Sequence, residues 1–114
     1  MAETSERRKL PTDRYGGHVH KLKFCADSVY VVVNKSDKGE VLEVFGYGES
    51  GIRGDLDGLC GLTSIALQYG TPLEKIVKFL RYRNYPPHGT AGQAKSISDA
   101  LAIVLEEYLE KEDE

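Results

Sequence analysis

The sequence predicts an α+β domain: a three-stranded antiparallel meander followed by three helices packed on one face of the sheet. Two observations carry this. Residues 18–47 contain three short runs with β-branched residues or period-two alternation, whereas residues 55–108 repeat their apolar residues at helical spacing. The two patterns do not interleave, and strands followed by helices is the order of an α+β fold. The length of 114 residues supports one such domain with one core.

Residues 1–17 are polar and charged, with Pro11 and the Gly16-Gly17 pair, and read as a flexible arm. The domain proper is placed at residues 18–110 and an acidic tail at 111–114. His18–Phe24, Val29–Asn34 and Glu40–Tyr47 are the strands. Ser36-Asp37-Lys38-Gly39 supplies the turn between the last two, with Gly39 free to adopt a positive φ. Asp55–Tyr69 is the first helix. Leu56, Leu59, Cys60, Thr63 and Leu67 form one apolar face and Leu62, Ile65 and Tyr69 another, so a central, largely buried helix is expected. Gly58 and Gly61 inside it lower helix propensity by about 1 kcal/mol each. They predict that another helix packs close, either the third helix of this chain or one from a second subunit. Gly70 ends the helix. Thr71 then caps the next, with Pro72 in the first helical position and Glu74 completing a capping box. Leu73, Ile76, Val77 and Leu80 are its buried stripe. Pro86-Pro87 and Gly89 force a loop. The third helix starts at Ser96, with Asp99 closing a second capping box and Ile97, Leu101, Val104, Leu105 and Tyr108 facing the core. Its acidic end from Glu106 onward is expected to fray.

The hydrophobic and charged fractions, 40% and 29%, are ordinary for a soluble globular domain, and no apolar run is long enough to span a bilayer. The first residues lack the apolar core of a secretory signal. Cys25 and Cys60 stand far apart without metal-ligand or CxxC spacing, and read as buried free thiols of a reducing compartment. A cytoplasmic protein follows, in the host cytoplasm if the chain is viral. The net charge of -3 argues against binding duplex nucleic acid, whose readers carry a domain-wide basic surface.

Against this acidic background one segment is cationic. From Lys75 to Ser98 the chain carries Lys75, Lys78, Arg81, Arg83 and Lys95 and not one Asp or Glu, with Tyr82, Tyr85 and His88 interleaved. A cationic, aromatic, glycine-bearing loop before a helix start suits an anion attached to a flat ring. Arg81, Arg83 and Lys95 are the candidate phosphate contacts and Tyr85 the stacking platform, with His88, Gly89, Thr90 and Ser96 completing that wall. The second wall is the glycine-rich stretch Gly46–Gly54, of which Gly48, Ser50, Gly51 and Arg53 are the candidate contacts. It matches neither the P-loop nor the dinucleotide-binding pattern. His88 has no Ser or Cys nucleophile beside it in sequence, which disfavours catalysis. His18 and His20 share a strand face, read as exposed alternation rather than a metal site. No cofactor is expected.

Three ordered stretches resemble a known family. Ser64-Ile65-Ala66-Leu67-Gln68-Tyr69-Gly70-Thr71-Pro72-Leu73-Glu74, the loop Arg83–Gly89 and Ala94-Lys95-Ser96-Ile97-Ser98-Asp99 are similar to the TSCPD domain. That domain occurs near the C-terminus of vitamin B12-dependent (class II) ribonucleotide reductases and as small free-standing proteins. The resemblance covers about Phe24 to Leu105. Ile97 stands where the cysteine of the family's naming motif would be, and the reductase's barrel, radical cysteine, cobalamin site and C-terminal dithiol have no counterpart. The resemblance implies a nucleotide-associated accessory module rather than a reductase. The leading expectation is a non-catalytic module that binds a small phosphorylated nucleotide or nucleotide-derived signal. The alternatives are an interaction subunit that docks on a ribonucleotide reductase or another partner, and a small nucleotide hydrolase using His88. A homodimer or higher homo-oligomer is expected as well, because a three-stranded sheet leaves open edges and the helical glycines admit a close neighbour.

Overall fold

The computed structural model describes residues 17–48 and 53–113. Of the arm expected at residues 1–17 only Gly17 is described, and it opens the first strand; residues 1–16, Ser50 and Gly51, and the side chain of Arg53 lie outside the described residues. Strands β1 (Gly17–Phe24), β2 (Asp27–Lys35) and β3 (Val41–Tyr47) form an antiparallel sheet in the order β1-β2-β3, followed by helices α1 (Arg53–Gln68), α2 (Leu73–Leu80) and α3 (Ile97–Asp113). This is the expected α+β arrangement.

The register sets the two faces of the sheet. His18, His20 and Leu22 pair with Val33, Val31 and Val29 and share their face. Val29, Val31, Val33, Val44 and Phe24 from the sheet are buried with Leu56, Cys60 and Leu67 of α1 and with Ile97, Leu101, Val104, Leu105 and Tyr108 of α3. That face therefore lies under the helices, and His20 is not part of an exposed alternation. It is half-buried, hydrogen-bonded through Nε2 to the Tyr108 hydroxyl at 2.6 Å. Burial, followed by the nearby Glu107, raises the Tyr108 pKa. The opposite face carries Val19, Tyr30, Phe45 and Tyr47 to solvent. Gly39 turns the β2–β3 hairpin at φ 89°, and the Ser36 hydroxyl accepts the N–H groups of Lys38 and Glu40.

α1 lies along the open edge of β3. The Ser64 hydroxyl accepts from the Val44 N–H at 2.8 Å and donates to the Val44 carbonyl, while the Gln68 amide donates to the Leu42 carbonyl at 2.9 Å. Two helix side chains thus satisfy backbone groups that a further strand would otherwise take. Gly46 allows the approach: a Cβ there would stand 2.5 Å from Leu56 Cγ. This glycine belongs to helix packing inside β3 and not to a ligand loop.

Four expectations need correction. α1 is buried on one face only, because Leu62, Ile65 and Tyr69 point to solvent at 68%, 42% and 47% exposure. Gly58 and Gly61 admit no backbone from this chain, as nothing among the described residues comes within 4 Å of a Cβ built on either. α3 therefore does not fill that surface. At α2 the N-cap is Pro72 itself, whose ψ of 138° is extended and which has no side-chain cap bond. This moves Thr71 outside the helix and Glu74 out of the third helical position, so no capping box forms. Finally, helical structure continues beyond Glu106: α3 runs to Asp113, with Tyr108 buried and Glu106 paired with Arg81.

Candidate functional site

The loop from Arg81 to Ser96 is fixed by one buried carboxylate. Asp99 is almost wholly enclosed, and its Oδ1 accepts from the Arg81 guanidinium at 2.7 Å and the Tyr82 N–H at 2.6 Å. Its Oδ2 accepts from the Lys95 N–H at 2.9 Å. Burial alone would raise the Asp99 pKa. The backbone bonds from Lys95 and Tyr82 and then the Arg81 charge outweigh it and hold the group below the usual carboxylate value. Ser96 caps α3 as expected, accepting the Asp99 N–H at 3.1 Å and donating to the Arg83 carbonyl at 2.7 Å. Asp99 does not return the bond to Ser96. It reaches one residue further back, to Lys95, and across to the end of α2. The positive end of α3 therefore already holds an internal anion, which removes the reason to place a ligand there.

Arg81 is occupied too. Besides Asp99 its guanidinium binds Glu106 at 3.1 Å, and these bonds raise its pKa against the opposing effect of burial. Its cation also lies 4.1 Å from the centre of the Tyr82 ring. Arg83 lies on Phe79, 3.8 Å from the ring centre, and donates to the Phe79 carbonyl. Tyr85 turns toward the start of α3, hydrogen-bonded to the Ser98 hydroxyl. It shares a hollow of about 390 Å³ with Asp55, Leu59, Leu62, Pro87 and Ile97. Of the two expected walls only the loop reaches this hollow, through Tyr85 and Pro87; no described residue of Gly46–Gly54 lines it, and Arg81, Arg83 and Lys95 are not among its lining residues.

The remaining candidates of the loop serve its shape. The Gln93 side chain accepts from the N–H groups of Cys25 (2.7 Å) and Thr90 (2.8 Å), and so ties the loop to the β1–β2 turn. The Cys25 thiol donates to the His88 carbonyl at 3.0 Å. Gly89 donates its N–H to the Ala94 carbonyl, and a Cβ on it would stand 2.5 Å from that oxygen. The His88 side chain is exposed, and Gly48 sits just past the end of β3. Cys25 is half-buried rather than buried. Cys60 is buried as expected, which together with the Asp57 charge pushes its pKa up to about 12 and leaves an inert thiol.

Lys95 belongs to a different cleft, of about 520 Å³, formed where the loop crosses β1. It is lined by Lys21, Leu22 and Lys23 of β1, by Arg81, Tyr82 and Gly92–Lys95 of the loop, and by Asp99 and Ile103 of α3. Its single lining carboxylate is Asp99, already bound to Arg81 and two backbone amides. Lys23 and Lys95 make no ion pair with the described carboxylates, and the Lys21 ammonium lies 5.8 Å from the centre of the Tyr30 ring. Tyr82, at 63% exposure and with a positive φ of 69°, presents its ring beside these cations. Of the residues expected from the sequence, Arg81 and Lys95 line this cleft. Lys21 and Lys23 were not foreseen, because their proximity depends on β1 passing beside the loop. Among the described residues no group of three His, Cys, Asp or Glu side chains is arranged to hold a metal, and no helix is long and apolar enough to cross a membrane.

These features belong to a small α+β module with a cationic cleft beside an edge strand. The chain belongs to the TSCPD domain family, which matches residues 4–109. It is also 28% identical over 102 residues to a vitamin B12-dependent ribonucleotide reductase from Bradyrhizobium diazoefficiens; the match covers 87% of this chain and 8% of the reductase. No solved structure matches.

Proposed function

We propose that this chain is a non-catalytic cytoplasmic module that binds a small phosphorylated nucleotide, or a nucleotide-derived signal, in the cleft between β1 and the Arg81–Ser96 loop. The observation that carries this reading is that Lys21, Lys23 and Lys95 line one cleft whose single lining carboxylate is already neutralised. Uncompensated ammonium groups around a concavity raise the local concentration of anions, and the exposed Tyr82 ring offers a surface for a base. The reading moves the site from the glycine-rich stretch to β1. Isothermal titration with mono-, di- and cyclic nucleotides tests it. Saturable binding that weakens with added salt is expected, and absence of binding across the panel overturns it. A second reading, docking on a ribonucleotide reductase, is favoured by the matched stretch forming a small part of a far longer reductase chain. Co-sedimentation with such a reductase, without nucleotide, separates the two.

A further inference from the structure

The outer face of α1 is apolar where an exposed helix face should be polar. At about 100° per residue, Gly58, Leu62, Ile65 and Tyr69 point away from the core, with Gly54 and Gly61 beside them. Leu62 is 68% exposed, Ile65 42% and Tyr69 47%, and Phe79 on the neighbouring α2 is 65% exposed. No described part of the chain covers the three glycines. This surface lies on α1 and α2, whereas the cationic cleft is built from β1, the loop and α3.

We propose that the occupant of this face is a second copy of the same chain, packed through α1 against α1 in antiparallel orientation about a two-fold axis. The order of side chains along α1 supports this. The small residues Gly54, Gly58 and Gly61 come first along α1, and the large residues Leu62, Ile65 and, just past its end, Tyr69 follow. An antiparallel pairing centred between Gly61 and Leu62 sets Gly58 opposite the partner's Ile65 and Gly54 opposite the partner's Tyr69. Each bulky side chain then meets a position without a Cβ, and close packing follows. A parallel pairing would set glycine on glycine and bulk on bulk.

Charge agrees with the same arrangement. Asp55 shares a hollow with Leu59 and Leu62, and these two leucines line the α1–α2 groove together with Lys75. Asp55 and Lys75 are therefore on one side of α1, near opposite ends of it, and both are exposed. A two-fold antiparallel pair keeps like sides together and reverses the ends. Asp55 then faces the partner's Lys75, and the contact occurs twice.

Sedimentation equilibrium of the full chain at micromolar concentration tests the proposal. A species of twice 12.7 kDa is expected, and a species at 12.7 kDa overturns it. Leu62→Glu and Ile65→Glu alter exposed positions and should keep the melting transition of the monomeric fold while abolishing the dimer. A dimer that survives both variants lies on another face and overturns the assignment. Asp55→Lys should weaken the dimer about tenfold, and the double variant Asp55→Lys/Lys75→Asp should restore it. Failure of that restoration overturns the antiparallel register.

Discussion

Asp99 sets the local structure of the loop, and its loss has effects beyond that of a helix cap. Four groups depend on it: the Arg81 guanidinium, the N–H groups of Tyr82 and Lys95, and through Arg81 the contact with Glu106. Asp99→Ala leaves the Arg81 charge without its nearest partner and two amides without acceptors. A fully buried broken pair costs about 3–5 kcal/mol; because Arg81 keeps some contact with water, about 2–4 kcal/mol is expected, read by urea unfolding. The pH dependence has a definite sign. The folded pKa of Asp99 is depressed, so its stabilisation is complete above the unfolded carboxylate value of about 3.9 and is lost as pH falls through the lower folded value. Wild-type stability should therefore fall more steeply from pH 5 to pH 2 than that of Asp99→Asn, followed by thermal melts. From sequence, the spacing of Ser96 and Asp99 gave half of this, the cap. The ion pair with Arg81 joins residues 18 positions apart and requires the end of α2 to lie beside the start of α3.

At the scale of elements, the position of α1 explains which parts of the sequence pattern could be read. The strands, the turn at Gly39 and the core stripes of α2 and α3 follow from periodicity alone, because alternation and helical repeat are local properties. The number of buried faces on a helix is not local. α1 carries apolar residues all round, and periodicity does not say whether the chain or a partner covers the second face. Glycines show the same limit. Gly46 and Gly58 look alike in sequence, yet the first lies against Leu56 and the second faces open space. Gly46→Val should push α1 off β3 and cost about 1–3 kcal/mol in thermal unfolding, the scale of overpacking. By contrast, Gly58→Ala should leave the isolated fold at least as stable, since no contact opposes it and helix propensity rises. Gln68→Ala should cost about 1–3 kcal/mol, because the Leu42 carbonyl at the edge of the sheet loses its donor.

At the scale of the whole molecule, the separation of charge connects fold to function. The chain is acidic overall, with a net charge of -3, yet Lys21, Lys23 and Lys95 line one cleft. The cationic loop was legible in the sequence; its partner strand was not, since Lys21 and Lys23 sit in a strand more than fifty residues away. The folded chain also reassigns the loop's own cations, holding Arg81 on Asp99 and stacking Arg83 on Phe79, so Arg83→Ala should leave anion affinity unchanged. Losing one charge-assisted phosphate contact costs about 1.5–3 kcal/mol, so a single Lys95→Ala should weaken binding by at least tenfold. The most direct measurement compares nucleotide affinity, by titration calorimetry, between Lys23→Glu/Lys95→Glu and the control pair Lys38→Glu/Lys78→Glu, which changes net charge equally but lies outside the cleft. Binding lost in the first variant and kept in the second is the predicted result; equal affinities in the two would contradict a binding site between β1 and the Arg81–Ser96 loop.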